Sequence, residues 1–185
     1  MSSIDVVVPC YRYAHFLREC VRSVLTQSHG DIRVLILDDA SPDNTPEVAG
    51  ALAAEDPRVT YVRHAVNKGH IATYNEGIEW AAADYFLLLS ADDVLLPGAF
   101  ERAIRFLDTH PQAGFLFSDV MELAPDGSKH RSDPVPGLPA TAADRILQSH
   151  DFILLCAQRN VVPTPTAIIR TSLQKRVGGY RPDLP

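Results

Sequence analysis

The run Asp84-Tyr85-Phe86-Leu87-Leu88-Leu89-Ser90-Ala91-Asp92-Asp93-Val94-Leu95-Leu96-Pro97 narrows the possible folds more than any other stretch of the chain. Its apolar part is strand-length and does not alternate with polar residues, the pattern of a strand buried on both faces. It ends on two adjacent carboxylates, and a proline then opens a helix-like segment. Open α/β sheets bind ligands at the loops that follow the carboxyl ends of their strands. Like charges about 4 Å apart repel by roughly 4 kcal/mol at an effective dielectric near 20, and a bound cation removes that cost. Asp92 and Asp93 therefore point to a divalent-metal site that holds a phosphorylated ligand.

A second run repeats the design. Ile32 to Leu37 reads as a buried strand and ends on Asp38-Asp39. Ile4-Asp5-Val6-Val7-Val8-Pro9 is a β-branched first strand, and Val59 to Arg63 a shorter third. Helices are expected between them. The first carries Phe16, Leu17, Cys20, Val21, Val24 and Leu25 on one stripe, with Gly30 at its exit. The second carries Val48, Ala49, Leu52 and Ala53, with Thr45 as cap and Pro46 at its first position, before Asp56-Pro57 breaks it. Asn67-Lys68-Gly69-His70 reads as a loop, and Ile71, Ala72, Ile78, Ala81 and Ala82 mark a third helix. Phe100, Ala103, Ile104 and Leu107 mark a fourth, running from Pro97 to near His110-Pro111.

Such alternation of strand and helix predicts a three-layer α/β fold, a mostly parallel sheet with helices on both faces. Beyond it, Phe115 to Val120 reads as a fifth strand, Asp126-Gly127 as a hairpin turn, Ile146 to Ala157 as a helix and Thr166 to Arg170 as a strand. Pro125, Pro134, Pro136 and Pro139 crowd an expected surface loop. Two acid pairs at matching strand ends should converge on one edge of the sheet. A hard cation there, Mg²⁺ or Mn²⁺, takes oxygen ligands, keeps waters and bridges to substrate phosphates. Lys68 and His70 are placed to reach a phosphate.

The chain of 185 residues fits one domain, and its formal net charge of −6 argues against broad nucleic-acid binding. Cys10, Cys20 and Cys156 form no CxxC pair or zinc spacing, which suggests a reducing compartment and a buried, small-hydrophobe role for Cys10. The histidines His15, His29, His64, His110, His130 and His150 show no metal-ligand spacing and are expected mostly at the surface. No apolar run approaches the roughly 18 residues that span a bilayer. A cytoplasmic protein is the expectation, with contact at the inner membrane face if its substrate is lipid-linked. GxGxxG, GxxxxGK[ST] and GxSxG are all absent, against a dehydrogenase-type dinucleotide fold, a P-loop and a hydrolase elbow.

Val6-Val7-Val8-Pro9-Cys10-Tyr11, Ser23-Val24-Leu25-Thr26-Gln27-Ser28 and Leu37-Asp38-Asp39-Ala40-Ser41-Pro42-Asp43-Asn44-Thr45 together resemble the opening of family-2 glycosyltransferases with the GT-A fold, a Rossmann-like nucleotide-binding sheet. Asn67-Lys68-Gly69, Asn75-Glu76-Gly77, Ser90-Ala91-Asp92-Asp93 and Val177-Gly178-Gly179-Tyr180 continue the likeness in order. The resemblance implies an inverting, metal-assisted transfer from a nucleotide-diphosphate sugar, a UDP-sugar by default, to the hydroxyl of a saccharide or lipid-linked acceptor, as in cell-surface polysaccharide synthesis. It implies that Pro9 and Tyr11 line the nucleotide pocket, Asp39 hydrogen-bonds the base and Lys68 belongs to the pocket loop. Asp92 matches the metal-binding acid of the DxD motif and Asp93 its supporting neighbour, the two together being the catalytic acids it implies, and Asp119 faces the acceptor side. Residues 1–120 would form the donor-binding half and 121–185 an incomplete acceptor-side portion.

Two departures stand out. Ser90 replaces the first DxD acid, and the chain ends at Asp183-Leu184-Pro185, where relatives carry an acidic base beyond the Gly-Gly-Tyr segment. An inverting displacement needs such a base beside the attacking hydroxyl, so a truncated chain is expected. The alternatives are a sugar-nucleotide-binding fragment without turnover and a nucleotidyltransferase. A phosphoacceptor signalling domain would place its acid pair after the first strand, whereas here the pair follows the second.

Overall fold

The computed structural model describes residues 2–124, 126–131, 144–157 and 159–183. The elements are β1 (Ile4–Cys10), α1 (Ala14–Leu25), β2 (Ile32–Asp38), α2 (Thr45–Glu55), β3 (Val59–Arg63), α3 (His70–Trp80), β4 (Tyr85–Leu88) and α4 (Ala99–Thr109). There follow β5 (Phe115–Leu116), a hairpin of β6 (Met121–Leu123) and β7 (Lys129–Arg131), α5 (Ser149–Cys156), β8 (Ile168–Arg170) and α6 (Thr171–Val177). The main sheet has the order β3-β2-β1-β4-β8-β5. β3, β2, β1 and β4 run parallel, and β8 is antiparallel to both β4 and β5.

Alternate residues of β1 divide the core. Ile4, Val6, Val8 and Cys10 pack with Leu17, Cys20, Val21 and Val24 of α1, Leu52 of α2, and Phe100, Ile104 and Leu107 of α4. On the other face Val7 packs with Leu35, Leu37, Phe86 and Leu88 beneath Ile78 of α3. The expected three-layer arrangement is present. Cys10 is buried as expected, its thiol pushed up to about 11 by that burial.

Several boundaries shift for identifiable reasons. α1 ends at Leu25, where the Gln27 N–H bonds back three residues to the Val24 carbonyl instead of four, so Gly30 lies in the following loop. Phe16 leaves the buried stripe and is 41% exposed. α2 includes Thr45 as its first residue, and the acceptor at its start is Asp43, which takes the Thr45 N–H and hydroxyl. α3 starts at His70 and turns Thr73, Gly77 and Ile78 inward, leaving Ile71 half-buried and Ala72 exposed. A Cβ at Gly77 would lie 2.5 Å from Val7 Cγ1, so glycine is what lets α3 lie on β1. α4 starts at Ala99, two residues after Pro97, because Gly98 takes a left-handed turn at φ 75°.

The fifth strand keeps only Phe115 and Leu116 of the expected six residues, because β8 offers it two partners. The N–H of Ser118 bonds instead to the Thr166 hydroxyl. Asp126-Gly127 does form a turn, joining β6 to β7. The helix expected from Ile146 starts at Ser149, and the last strand starts at Ile168 after a 3₁₀ turn at Thr164–Thr166. Pro125, Pro134, Pro136 and Pro139 of the expected loop lie outside the described residues.

Two charged anchors escaped the sequence reading. Asp5 is fully buried at the start of β1, where it accepts the Ala82 and Ala83 N–H groups and a bidentate Arg33. Arg170 in β8 donates to the carbonyls of Leu107, His110 and Ala113, tying the sheet to the end of α4. Among the described residues no helix is long and apolar enough to cross a membrane.

Candidate functional site

The parallel strands bring the two acid pairs to one edge. β1 lies between β2 and β4, with Cys10 opposite Asp38 and Val7 opposite Leu88. The loops after β2 and β4 thus leave the same edge about two strand spacings apart, roughly 10 Å. The β1 loop with Tyr11 lies between them. Pro9, half-buried, falls after the β1–β4 pairing has ended at Val7. There a missing N–H costs no bond to β4. Tyr11 is 41% exposed, with the Arg12 guanidinium 5.8 Å from its ring centre. Arg12 and Ala40 both adopt positive φ, 66° and 59°, so backbone strain sits in both neighbouring loops.

The Asp38-Asp39 pair divides its labour. Asp38 is fully buried, accepting the Ser41 N–H at 2.7 Å and the Tyr61 hydroxyl at 3.1 Å, with Arg63 Nε at 3.4 Å. Asp39 is 4% exposed and collects three donors: His64 Nδ1 and the Lys68 N–H at 2.7 Å on Oδ1, and the Gly69 N–H at 2.9 Å on Oδ2. Burial alone would push this carboxyl up, but the His64 bond and the two backbone bonds outweigh it and hold the carboxyl below its ordinary value. Gly69, at φ 83°, supplies the turn that aims both N–H groups at Asp39.

His64, expected at the surface, is buried, and its other nitrogen faces Glu76 Oε2 at 3.1 Å. Its position directly after β3, on the same sheet edge as Asp39, was the available signal. The Lys68 ammonium pairs with Glu76 at 2.8 Å, so the backbone of Lys68 serves Asp39 while its side chain serves α3. The three residues Asn75-Glu76-Gly77 have separate tasks. Glu76 holds His64 and Lys68, Gly77 meets Val7, and Asn75 clamps the backbone of Tyr180 through bonds of 2.9 and 2.6 Å.

On the β4 side Asp92 is exposed and Asp93 half-buried in a turn closed by the Asp93 N–H to the Ser90 carbonyl. Burial, and then the charge of Asp92, push the Asp93 carboxyl above its ordinary value. α1 holds this loop from beneath: Ser23 accepts the Leu95 N–H, and Gln27 donates to the Leu96 carbonyl. Tyr74 of α3 stands close enough for the Asp92 charge to act on its phenol, which burial chiefly pushes up; its ring packs edge-on against Tyr180. Asp119 is exposed and paired with Arg131. Among the described residues no three His, Cys, Asp or Glu side chains gather into a ready metal cluster. One or two carboxylates with water and phosphate oxygens satisfy a cation of the Mg²⁺ or Mn²⁺ type, and the mutually repelling Asp92–Asp93 pair fits that donor set.

A sheet whose first four strands are parallel, with acidic loops on the edge where the strand order reverses, has the layout in which open α/β folds bind ligands. Residues 5–175 match the family described as Glycosyl transferase family 2, and the chain belongs to that family. It is 30% identical over 147 residues to a glycosyltransferase of Nostoc sp. named alr2836, covering 79% of this chain and 46% of that protein. Among solved structures, mannosyltransferase PcManGT from Pyrobaculum calidifontis, in complex with GDP-Man and Mn²⁺, superposes with a TM-score of 0.71 at 18% identity, covering 99% of this chain and 48% of that one. S. aureus TarS 1-349 in complex with UDP-GlcNAc gives 0.69 at 18% identity, with 95% and 47% covered. These structures share the GT-A fold, and the chain spans about half the length of each of these proteins.

Proposed function

We propose that residues 1–120 form the donor-binding half of a glycosyltransferase, and that 121–185 belong to its acceptor side. The reaction is transfer of a sugar from a nucleotide-diphosphate sugar to a saccharide or lipid-linked hydroxyl, with inversion and with metal assistance. The observation that carries the reading is the common rim: Asp39 after β2 and Asp92 after β4 flank the Tyr11 loop on one sheet edge. Relatives of the same fold in complex with GDP-Man and Mn²⁺, and with UDP-GlcNAc, support a nucleotide sugar as the ligand. A cytoplasmic setting and a role in cell-surface polysaccharide synthesis belong to the same proposal.

In this reading Pro9 and Tyr11 line the base pocket and Asp39 accepts a hydrogen bond from the base. Asp92 would hold Mg²⁺ or Mn²⁺, with Asp93 as its supporting neighbour. When bound, the ion offsets the charge that grows on the departing diphosphate. The backbone bonds that fix Asp39 and the α1 contacts that fix the Ser90–Pro97 loop preorganise both ends of the donor before it arrives. Asn75 keeps Tyr180 against α3, its ring on Tyr74, the residue on which the Asp92 charge acts.

A thermal-shift panel of nucleoside diphosphates with and without Mn²⁺ tests this. A ligand at 100 times its Kd adds roughly 2.7 kcal/mol. Asp92→Ala should abolish the metal-dependent part of the shift, while Lys68→Ala only trims it. An unchanged metal response in the Asp92 variant removes that residue as the ligand. Donor hydrolysis or transfer, measured alongside, separates an enzyme from a binding module.

A further inference from the structure

We propose that His64 makes Asp39 a single-acceptor carboxylate, so that the pocket takes a nucleoside diphosphate whose base offers one ring N–H, uracil or thymine, and rejects guanine. The inference rests on the reading that Asp39 receives the donor base, and it names the base.

An ionised carboxylate offers about four lone-pair positions, two on each oxygen. On Asp39, Oδ1 is filled by His64 Nδ1 and the Lys68 N–H, both at 2.7 Å, and Oδ2 already takes the Gly69 N–H at 2.9 Å. One position is left, on Oδ2. The ionised acid can only accept, so Nδ1 of His64 donates to it. The imidazole cannot swing aside to make room. Its side chain is 2% exposed, its backbone N–H bonds to the Asp38 carbonyl at 2.9 Å, and Nε2 faces Glu76, itself held by Lys68.

Guanine presents N1–H and the exocyclic amine side by side, and a carboxylate meets that pair with one free lone pair on each oxygen. Here the second donor would face the filled Oδ1 and remain buried without a partner. Uracil and thymine present N3–H alone, which the single open position matches. Cytosine and adenine set a ring-nitrogen lone pair beside their amine, against the Asp39 charge. A site that leaves a ligand donor unpaired discriminates far more strongly than one that merely loses a methylene.

Calorimetric titration of UDP, dTDP, CDP and GDP, each with Mn²⁺, into the wild-type chain, His64→Asn and His64→Ala tests the proposal. Wild type should bind UDP or dTDP at least about tenfold tighter than GDP or CDP. In His64→Asn the side-chain amide replaces the Nδ1 donor and the preference persists. In His64→Ala the freed Oδ1 admits guanine, and the UDP-to-GDP ratio falls severalfold, chiefly through tighter GDP. GDP binding as tightly as UDP in wild type overturns the proposal, as does an unchanged ratio in His64→Ala. If that variant does not fold, the wild-type ratio and the Asn variant decide. Absence of heat with every diphosphate overturns the donor-site reading itself and this inference with it, whereas equal binding of all four overturns this inference alone.

Discussion

Asp39→Asn should destabilise the folded chain even with no ligand present, because the carboxylate is also the node that holds the β2, β3 and α3 loops together. Three donors converge on it, at 2.7, 2.7 and 2.9 Å. The variant keeps one carbonyl oxygen, which can serve two of them, and turns an amide NH₂ toward the third. One part-buried N–H is thereby left facing another donor, at a cost of about 1–3 kcal/mol. For a chain this long, 1 kcal/mol moves Tm by about 2–4 °C, so a drop of roughly 2–12 °C is expected.

The pH dependence of that drop identifies its cause. The folded Asp39 carboxyl lies below its ordinary value. Its contribution is therefore present above the unfolded carboxyl range and is lost as pH falls through the folded value. The gap between wild type and Asp39→Asn should be full at pH 7 and narrow below about pH 4. Paired thermal melts between pH 3 and 8 measure it. An Asn variant as stable as wild type at pH 7, or a gap that does not change with acid, would refute the reasoning.

Two further substitutions probe the elements around the site. A Cβ at Gly179 would lie 2.4 Å from Asn75 Oδ1, so Gly179→Ala should break the clamp on Tyr180 and lose about 1–3 kcal/mol from two hydrogen bonds. The same change in an Asn75→Ala background should cost little. Hydrogen exchange of the Tyr180 amide across this double-mutant cycle reports the coupling, and strict additivity would count against the clamp. Gly77→Ala gains about 1 kcal/mol of helix propensity but meets the stiff, buried Val7, an overpacking cost of about 1–3 kcal/mol. Adding Val7→Ala should remove most of that cost, as read by denaturant midpoint.

The sheet was legible because its central strands carry unbroken apolar runs and its acids fall at strand ends. Periodicity located α1, α2 and α4 for the same reason, since each turns one apolar stripe to the core. It mis-set the face of α3, where contact with β1 depends on the absence of a side chain at Gly77, which hydrophobic spacing does not register. The acids Asp38 and Asp39 read alike in sequence, yet Tyr61, Ser41 and Arg63 claim the first and His64 with the Asn67-Lys68-Gly69 turn claims the second. The burial of His64 was hard to read because its partners lie 25 residues before it and 12 after it, and only its place directly after β3 hinted at the shared edge. β5 depends on β8, which arrives late in the chain and runs antiparallel, so local pattern carries little of its extent.

The shared rim of the β2 and β4 loops is tested most directly by paramagnetic broadening of backbone amides on adding Mn²⁺ with UDP. The Tyr11, Lys68 and Gly69 amides should broaden strongly, because the two loops lie about 10 Å apart, and Asp92→Ala should restore their signals. The Ala82 and Ala83 amides, held by Asp5 at the far end of β1 about 20 Å away, should stay sharp. Broadening centred on Ala82 and Ala83, or broadening at Gly69 that survives Asp92→Ala, would contradict the account.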